Sequence, residues 1–460
     1  MAQSLEIQGK RVLVVGLGKS GVASALFLHD RGARVTVSDA KAEEQLRNEI
    51  PKLLDKGIAV ETGGHGERTF RQQDLIVVSP GVPTGSEALK QALALGIPVI
   101  GEIELASRFL QGRIIAITGS NGKTTTTSLA GEVVAGGGLK VQVGGNIGTP
   151  AISLVADSSL DGFVVLEVSS FQLETIQSFR PYVSVVLNIS PDHLDRHGSM
   201  AAYTAAKRRI FENQTADDFA VLNADDPTCV EMARGLQPQI YWFSRKKEAT
   251  LGAYVRGDRI YLRDKDGERE IMAVGEIPLK GAHNLENVLA AVCIGGIVHC
   301  EPARIRQAIK QFKAVEHRLE FVATVNGVEY YNDSKATNVD ATIKALESFP
   351  ANIHIILGGK DKGAPYTPLV PLLRERAKRV YTIGAAAAKI EEEISGAVDI
   401  VKAGTIDVAV RKAADSAQAG DVVVLAPACA SFDQFDNYEH RGRVFKELVQ
   451  ALAAKKMGQG

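Results

Sequence analysis

The stretch Ile114–Thr127, with the sequence IIAITGSNGKTTTT, restricts the chain more than any other. It starts as an apolar β-type run, breaks at Gly119, carries Lys123 at the break and continues into a helix-length segment. A strand that turns through glycine into a helix makes a phosphate cradle. Gly119 and Gly122 let backbone N–H groups converge on an anion, and the helix N-terminus adds partial positive charge. Lys123 is placed to reach terminal phosphates, and Thr124 to offer its hydroxyl to a phosphate-bound Mg²⁺. The common G-x-x-x-x-G-K-[ST] spacing is not kept, because its first glycine falls on Ile117. An ordinary strand–turn–helix is the plain alternative. Four consecutive threonines are poor helix formers, which favours a local functional reason over propensity.

A second glycine loop lies upstream. The β run Arg11–Val15 leads into Gly16-Leu17-Gly18-Lys19-Ser20-Gly21, and a further run, Arg34–Ser38, ends at Asp39. This is a G-x-G-x-x-G between strand and helix, with an acid about 20 residues on. Alone it admits an NAD-dependent oxidoreductase. What it requires is narrower: a diphosphate on a helix N-terminus, which NAD, FAD and UDP-sugars all carry. The run Asp74–Val78 ends in Ser79-Pro80-Gly81-Val82-Pro83, a rigid loop where open α/β sheets place ligands, or a plain turn.

Strand–glycine–helix repetition over 460 residues points to an α/β protein of several domains, with breaks near Gly101 and Ala314. A net charge of −1 gives no reason to propose nucleic acid as a partner. The four cysteines form no C-x-x-C pair, which suits a reducing compartment. No basic-then-apolar leader opens the chain, and Val12–Val15 is too short to span a membrane. The expectation is a cytoplasmic protein without a membrane partner, and a monomer, since no coiled-coil pattern forces assembly.

Several polar clusters follow apolar runs. Gly144-Gly145-Asn146-Ile147-Gly148 follows Val141–Val143. Phe163–Leu166 ends at Glu167, a natural Mg²⁺ ligand beside a phosphate loop or an acid at a helix start. Val183–Leu187 leads to Asn188-Ile189-Ser190-Pro191-Asp192-His193-Leu194-Asp195-Arg196-His197, dense enough in His and Asp to bind a metal but without zinc-hydrolase spacing. Lys207 reads, on its residues alone, as part of a solvated basic helix face. Asp225 and Asp226 close another strand as base or ribose contacts. Tyr254–Ile277 alternates through turns at Gly257-Asp258 and Asp266-Gly267, predicting antiparallel hairpins. Asn284 and Asn287 open an Ala-rich helix and face a ligand or cap it. Beyond Ala314, Val315–Glu320 and Tyr331–Asn338 are densely charged. The runs Ile353–Leu357, Val380–Ile383 and Val422–Leu425 predict a second doubly wound unit. The tail from Leu452 to Gly460 is expected to fray.

With these clusters assembled, the sequence resembles the Mur ligases of bacterial cell-wall synthesis over essentially its whole length. The shared signals are the shortened loop Thr118-Gly119-Ser120-Asn121-Gly122-Lys123-Thr124-Thr125, Gly145-Asn146-Ile147-Gly148 and His317-Arg318. Three longer strings are more specific: Glu167–Glu174, Asn332–Asn338 and Pro427–Phe435. The resemblance implies an α/β protein of three domains. Residues 1–101 would be Rossmann-like and bind a uridine nucleotide. Residues 102–314 would form a P-loop ATPase-type domain. Residues 315–460, again Rossmann-like, would bind the amino acid and ATP and close over the site. It also implies UDP rather than NAD on the first glycine loop.

The implied reaction is ATP-dependent joining of D-glutamate to UDP-N-acetylmuramoyl-L-alanine through an acyl phosphate, in peptidoglycan precursor synthesis. By the resemblance, Gly119, Ser120, Asn121, Gly122, Lys123, Thr124 and Thr125 bind ATP, with Asn284, Arg318 and Asp333 on adenine, phosphate and ribose. Two Mg²⁺ are implied: Thr124 and Glu167 hold one, His193 and Lys207 serve the other. Lys207 acts there as a CO₂-derived carbamate, which turns a cation into an oxygen ligand. Lys123, Glu167, His193 and Lys207 are the implied catalytic set. Gly16, Gly18, Lys19, Ser20, Asp39, Ala40, Lys41, Ser79, Pro80, Gly81 and Asn146 line the UDP substrate. Lys335, Thr337, Lys362, Ser431 and Tyr438 hold D-glutamate. Some relatives carry Thr-Arg in place of Ala40-Lys41, and Phe in place of Tyr438.

Overall fold

The computed structural model of the protein describes residues 5–146, 148–279, 281–313 and 316–457, and for Asp195 and residues 455–457 the backbone alone. Ile147, the expected break at Ala314, Val315 and the last three residues of the tail lie outside the described residues.

The Val- and Ile-rich runs become strands buried on both faces, as parallel sheets require. The first sheet has five parallel strands in the spatial order Ala59–Glu61, Arg34–Ser38, Arg11–Val15, Leu75–Val78, Val99–Gly101. The order reverses at Arg11–Val15, so the loop after that strand sits where such sheets open a crevice. A second sheet of nine strands contains, as neighbours, Val183–Val186, Arg113–Thr118, Phe163–Glu167 and Val141–Gly145, all parallel. Its far end carries the expected hairpin: Gly252–Arg256 pairs antiparallel with Arg259–Asp264, and Gly257 turns at φ 63°.

The third sheet has six strands in the order Glu320–Val325, Val328–Asn332, Val422–Leu425, Ile353–Gly358, Ala377–Ile383, Asp399–Gly404. Its first pair is antiparallel and the rest are parallel. Three of these strands were not anticipated. Glu320–Val325 and Asp399–Gly404 are half-exposed edge strands with mixed composition, and Val328–Asn332 holds two tyrosines and an asparagine.

Two compact units result. The first holds the chain up to Ile189, His193–Met272 and Val288–Ile309; the second holds Ser190–Asp192, Ala273–Asn287 and the chain from Lys310 onward. The first sheet and all of the second but its last residue, Ala273, lie in the first unit. Strand Val99–Gly101 runs straight into helix Glu102–Ser107. Glu104 there accepts the backbone N–H groups of Gln177, Ser178 and Phe179, and Glu102 accepts that of Ile152 at 2.8 Å.

In the described part of the tail, helix Tyr438–Met457 continues past Leu452 to Met457. All four cysteines are buried and none is in a disulfide. Among the described residues, no helix is long and apolar enough to cross a membrane.

Candidate active site

Three adjacent parallel strands deliver the central cluster at their C-terminal ends. Arg113–Thr118 leads into the glycine-lysine loop, Phe163–Glu167 ends on its glutamate, and Val183–Val186 leads to Asn188. Gly122 caps helix Lys123–Gly136 in the left-handed region, at φ 84°, where a side chain would be strained. The loop is shaped by Asn188. The amides of Ser120 and Asn121, expected to face phosphate, donate instead to the Asn188 backbone carbonyl at 3.0 Å and to its Oδ1 at 2.9 Å. The Asn188 side chain returns a bond to the Asn121 carbonyl at 3.1 Å. Ser120 Oγ meets the hydroxyl of Tyr203 at 3.0 Å. Asn188 and Tyr203 were not singled out, because their roles depend on strand adjacency that the sequence does not display.

Lys123 Nζ donates to the carbonyls of Gly119 and Ser120, each at 2.9 Å. Thr124 Oγ1 donates to Glu167 Oε2 at 2.7 Å, and Asn146 Nδ2 donates to Glu167 Oε1 at 3.0 Å. A hydroxyl and a carboxylate in contact under a lysine-bearing loop are hard oxygen donors of the kind Mg²⁺ takes. Thr125 Oγ1 is buried without a hydrogen-bond partner, so the start of this helix is left with polar capacity that a nucleotide could satisfy.

Lys207 corrects the solvated-face reading. It is 1% exposed, and its Nζ donates to Thr118 Oγ1 at 3.2 Å and to the Gly119 carbonyl at 2.9 Å. Helix Met200–Arg208 turns this lysine inward, beneath the glycine-lysine loop. His193 adopts a left-handed backbone at φ 53°, uncommon for a residue with a Cβ, and packs edge-on against Phe171 at 4.9 Å. Asp225 and Asp226 are also corrected. Asp226 caps the helix Pro227–Met232 and accepts the Ile189 N–H, while Asp225 accepts from Ser244 Oγ and the Arg245 N–H. Protein donors already hold these carboxylates, so they do not read as base or ribose contacts.

At the first glycine loop, Asp39 is buried and accepts the Leu17 N–H at 2.6 Å and the Lys41 N–H at 2.8 Å. Its carboxylate braces the loop, unlike the acid that takes a ribose hydroxyl in dinucleotide-binding domains. Ser79 Oγ donates to the Gly16 carbonyl at 2.9 Å, tying the proline loop to the glycine loop. Gly21 allows the close helix–strand approach, since a Cβ there would lie 1.8 Å from the Gly16 oxygen.

The second unit carries the other predicted residues. Asn287 Nδ2 donates to Asn284 Oδ1 at 3.0 Å. Asp333 accepts the Leu319 N–H at 3.2 Å, and burial pushes its carboxyl up to about 6 despite the nearby charge of Arg318. Arg318 Nε is buried without a hydrogen-bond partner. Lys362 Nζ donates to Thr337 Oγ1 at 3.3 Å, and Lys335 Nζ lies 5.5 Å from the ring centre of Tyr438. Ser431 is buried in the loop after Val422–Leu425. Arg441, which was not anticipated, is fully buried. It donates to Ser334 Oγ and to the carbonyls of Ser334, Cys429 and Ala430, bracing two of these loops together.

Comparison with known proteins gives this arrangement a family. Residues 10–101 match the Mur ligase MurD-like, N-terminal domain, residues 117–295 the Mur ligase middle domain, and residues 317–429 the Mur ligase, glutamate ligase domain. The UDP-N-acetylmuramoylalanine–D-glutamate ligase of Koribacter versatilis is 66% identical over 98% of this chain and 99% of its own length. The protein of the same name from Acidobacterium capsulatum is 59% identical over 97% of each. A solved pseudomurein peptide ligase type C from Methanothermus fervidus shares the fold, with a TM-score of 0.61, 21% identity, and coverage of 96% of this chain and 100% of that one. The nicotinamide reading of the first glycine loop finds no support among these relatives. With three domain models in succession and relatives this similar along its full length, the chain belongs to the Mur ligase family.

Proposed function

We propose that this protein is an ATP-dependent ligase that joins D-glutamate to UDP-N-acetylmuramoyl-L-alanine, releasing ADP and phosphate. The observation that carries the reading is the Thr124–Glu167 pair under the Lys123 loop, with buried Lys207 against the same loop. The names of the similar proteins supply the choice of substrates. In this reading the domains divide at 1–101, 102–314 and 315–460, and the protein works as a monomer in the cytoplasm.

The chemistry follows from a charge problem. A triphosphate, a substrate carboxylate and the carboxylates of glutamate are mutually repelling anions, and cations must offset that repulsion. Lys123 leaves the carbonyls of Gly119 and Ser120 and turns to the β/γ-phosphates. The carboxylate of the L-alanyl stem attacks the γ-phosphorus and ADP leaves, giving an acyl phosphate. The amine of D-glutamate then attacks the acyl carbon, loses a proton and expels phosphate. Lys335, Thr337, Lys362, Ser431 and Tyr438 hold the glutamate so that its amine is presented.

Thr124 and Glu167 would hold one Mg²⁺, and His193 with Lys207 a second, Lys207 as a carbamate. Hydroxyl, carboxylate and carbamate oxygens suit that ion, which when bound supplies charge neutralisation on phosphate and carboxylate oxygens. Gly16, Gly18, Lys19, Ser20, Asp39, Ala40, Lys41, Ser79, Pro80, Gly81 and Asn146 receive the UDP substrate, and Asp39 also keeps the glycine loop in shape. Asn284, Arg318 and Asp333 take the nucleoside and phosphates of ATP.

The test is ADP release with Mg²⁺ and ATP, with each substrate omitted in turn. Release that needs both UDP-N-acetylmuramoyl-L-alanine and D-glutamate supports the proposal. No release with the full set, or equal release with other amino acids, overturns it.

A further inference from the structure

Arg196 links the substrate loop of the first sheet to the centre of the second. Its Nη1 donates to the Pro80 carbonyl at 3.1 Å, and its Nη2 to the Val82 carbonyl at 3.0 Å. Prolines at 80 and 83 remove two N–H groups from this loop, so carbonyls are its main handles. A planar guanidinium fork engages two carbonyls at once, which an ammonium point charge does not reproduce. The fork is itself held: it lies 4.0 Å over the Phe171 ring, and Nη2 is 3.6 Å from Glu174 Oε2. Glu174 also meets His197 Nδ1 at 3.2 Å, and His197 Nε2 meets Ser170 Oγ at 2.9 Å. Phe171 contacts His193 as well. The guanidinium is therefore fixed by the segment just past Glu167 and by the short helix just past His193, and it grips the loop that Ser79 ties to Gly16.

We infer that Arg196 is a positioning residue. It sets the distance between the UDP-binding loop and the Glu167–His193–Lys207 centre, and so where the substrate carboxylate lies when its nucleotide end is seated. The inference rests on the proposed function. A substrate held at one end by Gly16–Ser79 and reacting at the other end depends on that spacing, and small misplacement of reacting groups is costly. UDP alone occupies only the near end and has no such dependence.

Arg196→Ala and Arg196→Lys test this on the full chain. For Arg196→Ala, kcat/KM for UDP-N-acetylmuramoyl-L-alanine should fall at least about tenfold, while KM for ATP and the affinity for UDP alone stay within about threefold. Arg196→Lys keeps the charge but not the fork, and should recover only part of the loss. Added guanidinium at millimolar concentration should raise the Ala variant's rate and leave the parent unchanged. Thermal melts confirm that each variant is folded, and if the Ala variant does not fold, the Lys variant decides. Unchanged kcat/KM in a folded variant overturns the inference, as does equal weakening of UDP, ATP and full substrate. Parent enzyme that fails to turn over sinks the proposed function instead, which separates the two failures.

Discussion

Lys207 Nζ lies 2.9 Å from the carbonyl oxygen of Gly119, inside the protein and directly under the glycine-lysine loop. A buried amine this close to the cradle can steady the loop as a cation, or, once carbamylated, present oxygens to a metal. Lys207→Ala should lower turnover by at least about a hundredfold. Acetate or another short-chain carboxylate should restore part of the rate by refilling the position with oxygen ligands. Rates measured across a carboxylate titration check this, and a flat response in a folded variant removes support for the carbamate.

Thr124 and Glu167 touch across 2.7 Å, so each positions the other. Thr124→Val removes the hydroxyl at nearly constant volume. The Mg²⁺ concentration for half-maximal rate should rise about tenfold or more, while KM for D-glutamate stays near the parent value. A Mg²⁺ titration of the ADP-release rate decides it, and an unshifted midpoint assigns Thr124 to packing alone.

Gly21 sits where a Cβ would lie 1.8 Å from the Gly16 oxygen and 2.8 Å from Ser79 Oγ. The first is a backbone atom of the glycine loop and the second a side-chain atom of the proline loop, both proposed above to receive the UDP substrate. Gly21→Ala should therefore cost about 1–3 kcal/mol of stability and weaken UDP binding together, because relief of the clash displaces the loop. Denaturant unfolding and UDP titration on one sample read both. Stability and affinity that both match the parent would show that the helix shifts without moving Gly16.

Glu102 is buried, with Oε1 on the Ile152 N–H and Oε2 without a hydrogen-bond partner, and burial pushes its carboxyl up to about 7. Below the ordinary value of 4.5 both folded and unfolded chains keep the proton, and the contribution to stability is complete. Between 4.5 and about 7 the unfolded chain releases its proton first, so stability falls as pH rises. Above that window the loss is on the order of 3 kcal/mol. Glu102→Gln has no proton to release, so its advantage over the parent should grow across the window and then level off. Denaturant midpoints at four or five pH values measure the difference, and a constant offset would contradict a neutral Glu102.

How much was legible in the sequence varies with the range of the interaction. The strand Arg113–Thr118 and its glycine-lysine turn could be read because apolar periodicity, glycine and helix start are all local. The Asp39 carboxylate was visible as an acid after a strand, but its commitment to the Leu17 amide was not, because 22 residues separate the two. Lys207 shows the limit most plainly. With Arg208 and Arg209 beside it in sequence, it looks solvated, yet the helix turns it inward while Arg208 stays exposed.

The sequence by itself determined the α/β class, the two glycine loops and the family, because these reside in contiguous residues: alternation of strand and helix, glycine at turns, and long motif strings. Only the tertiary structure decided which carboxylates and amines were already taken. It committed Asp226 and Asp39 to backbone amides and Asp225 to the Ser244 hydroxyl and the Arg245 amide, brought Asn188 to the Lys123 loop and buried Lys207 beneath it. The reason is physical. Strands adjacent in a parallel sheet are joined by crossovers, so the partners of a site residue lie tens of residues away, and their distances are set by sheet order rather than by sequence spacing.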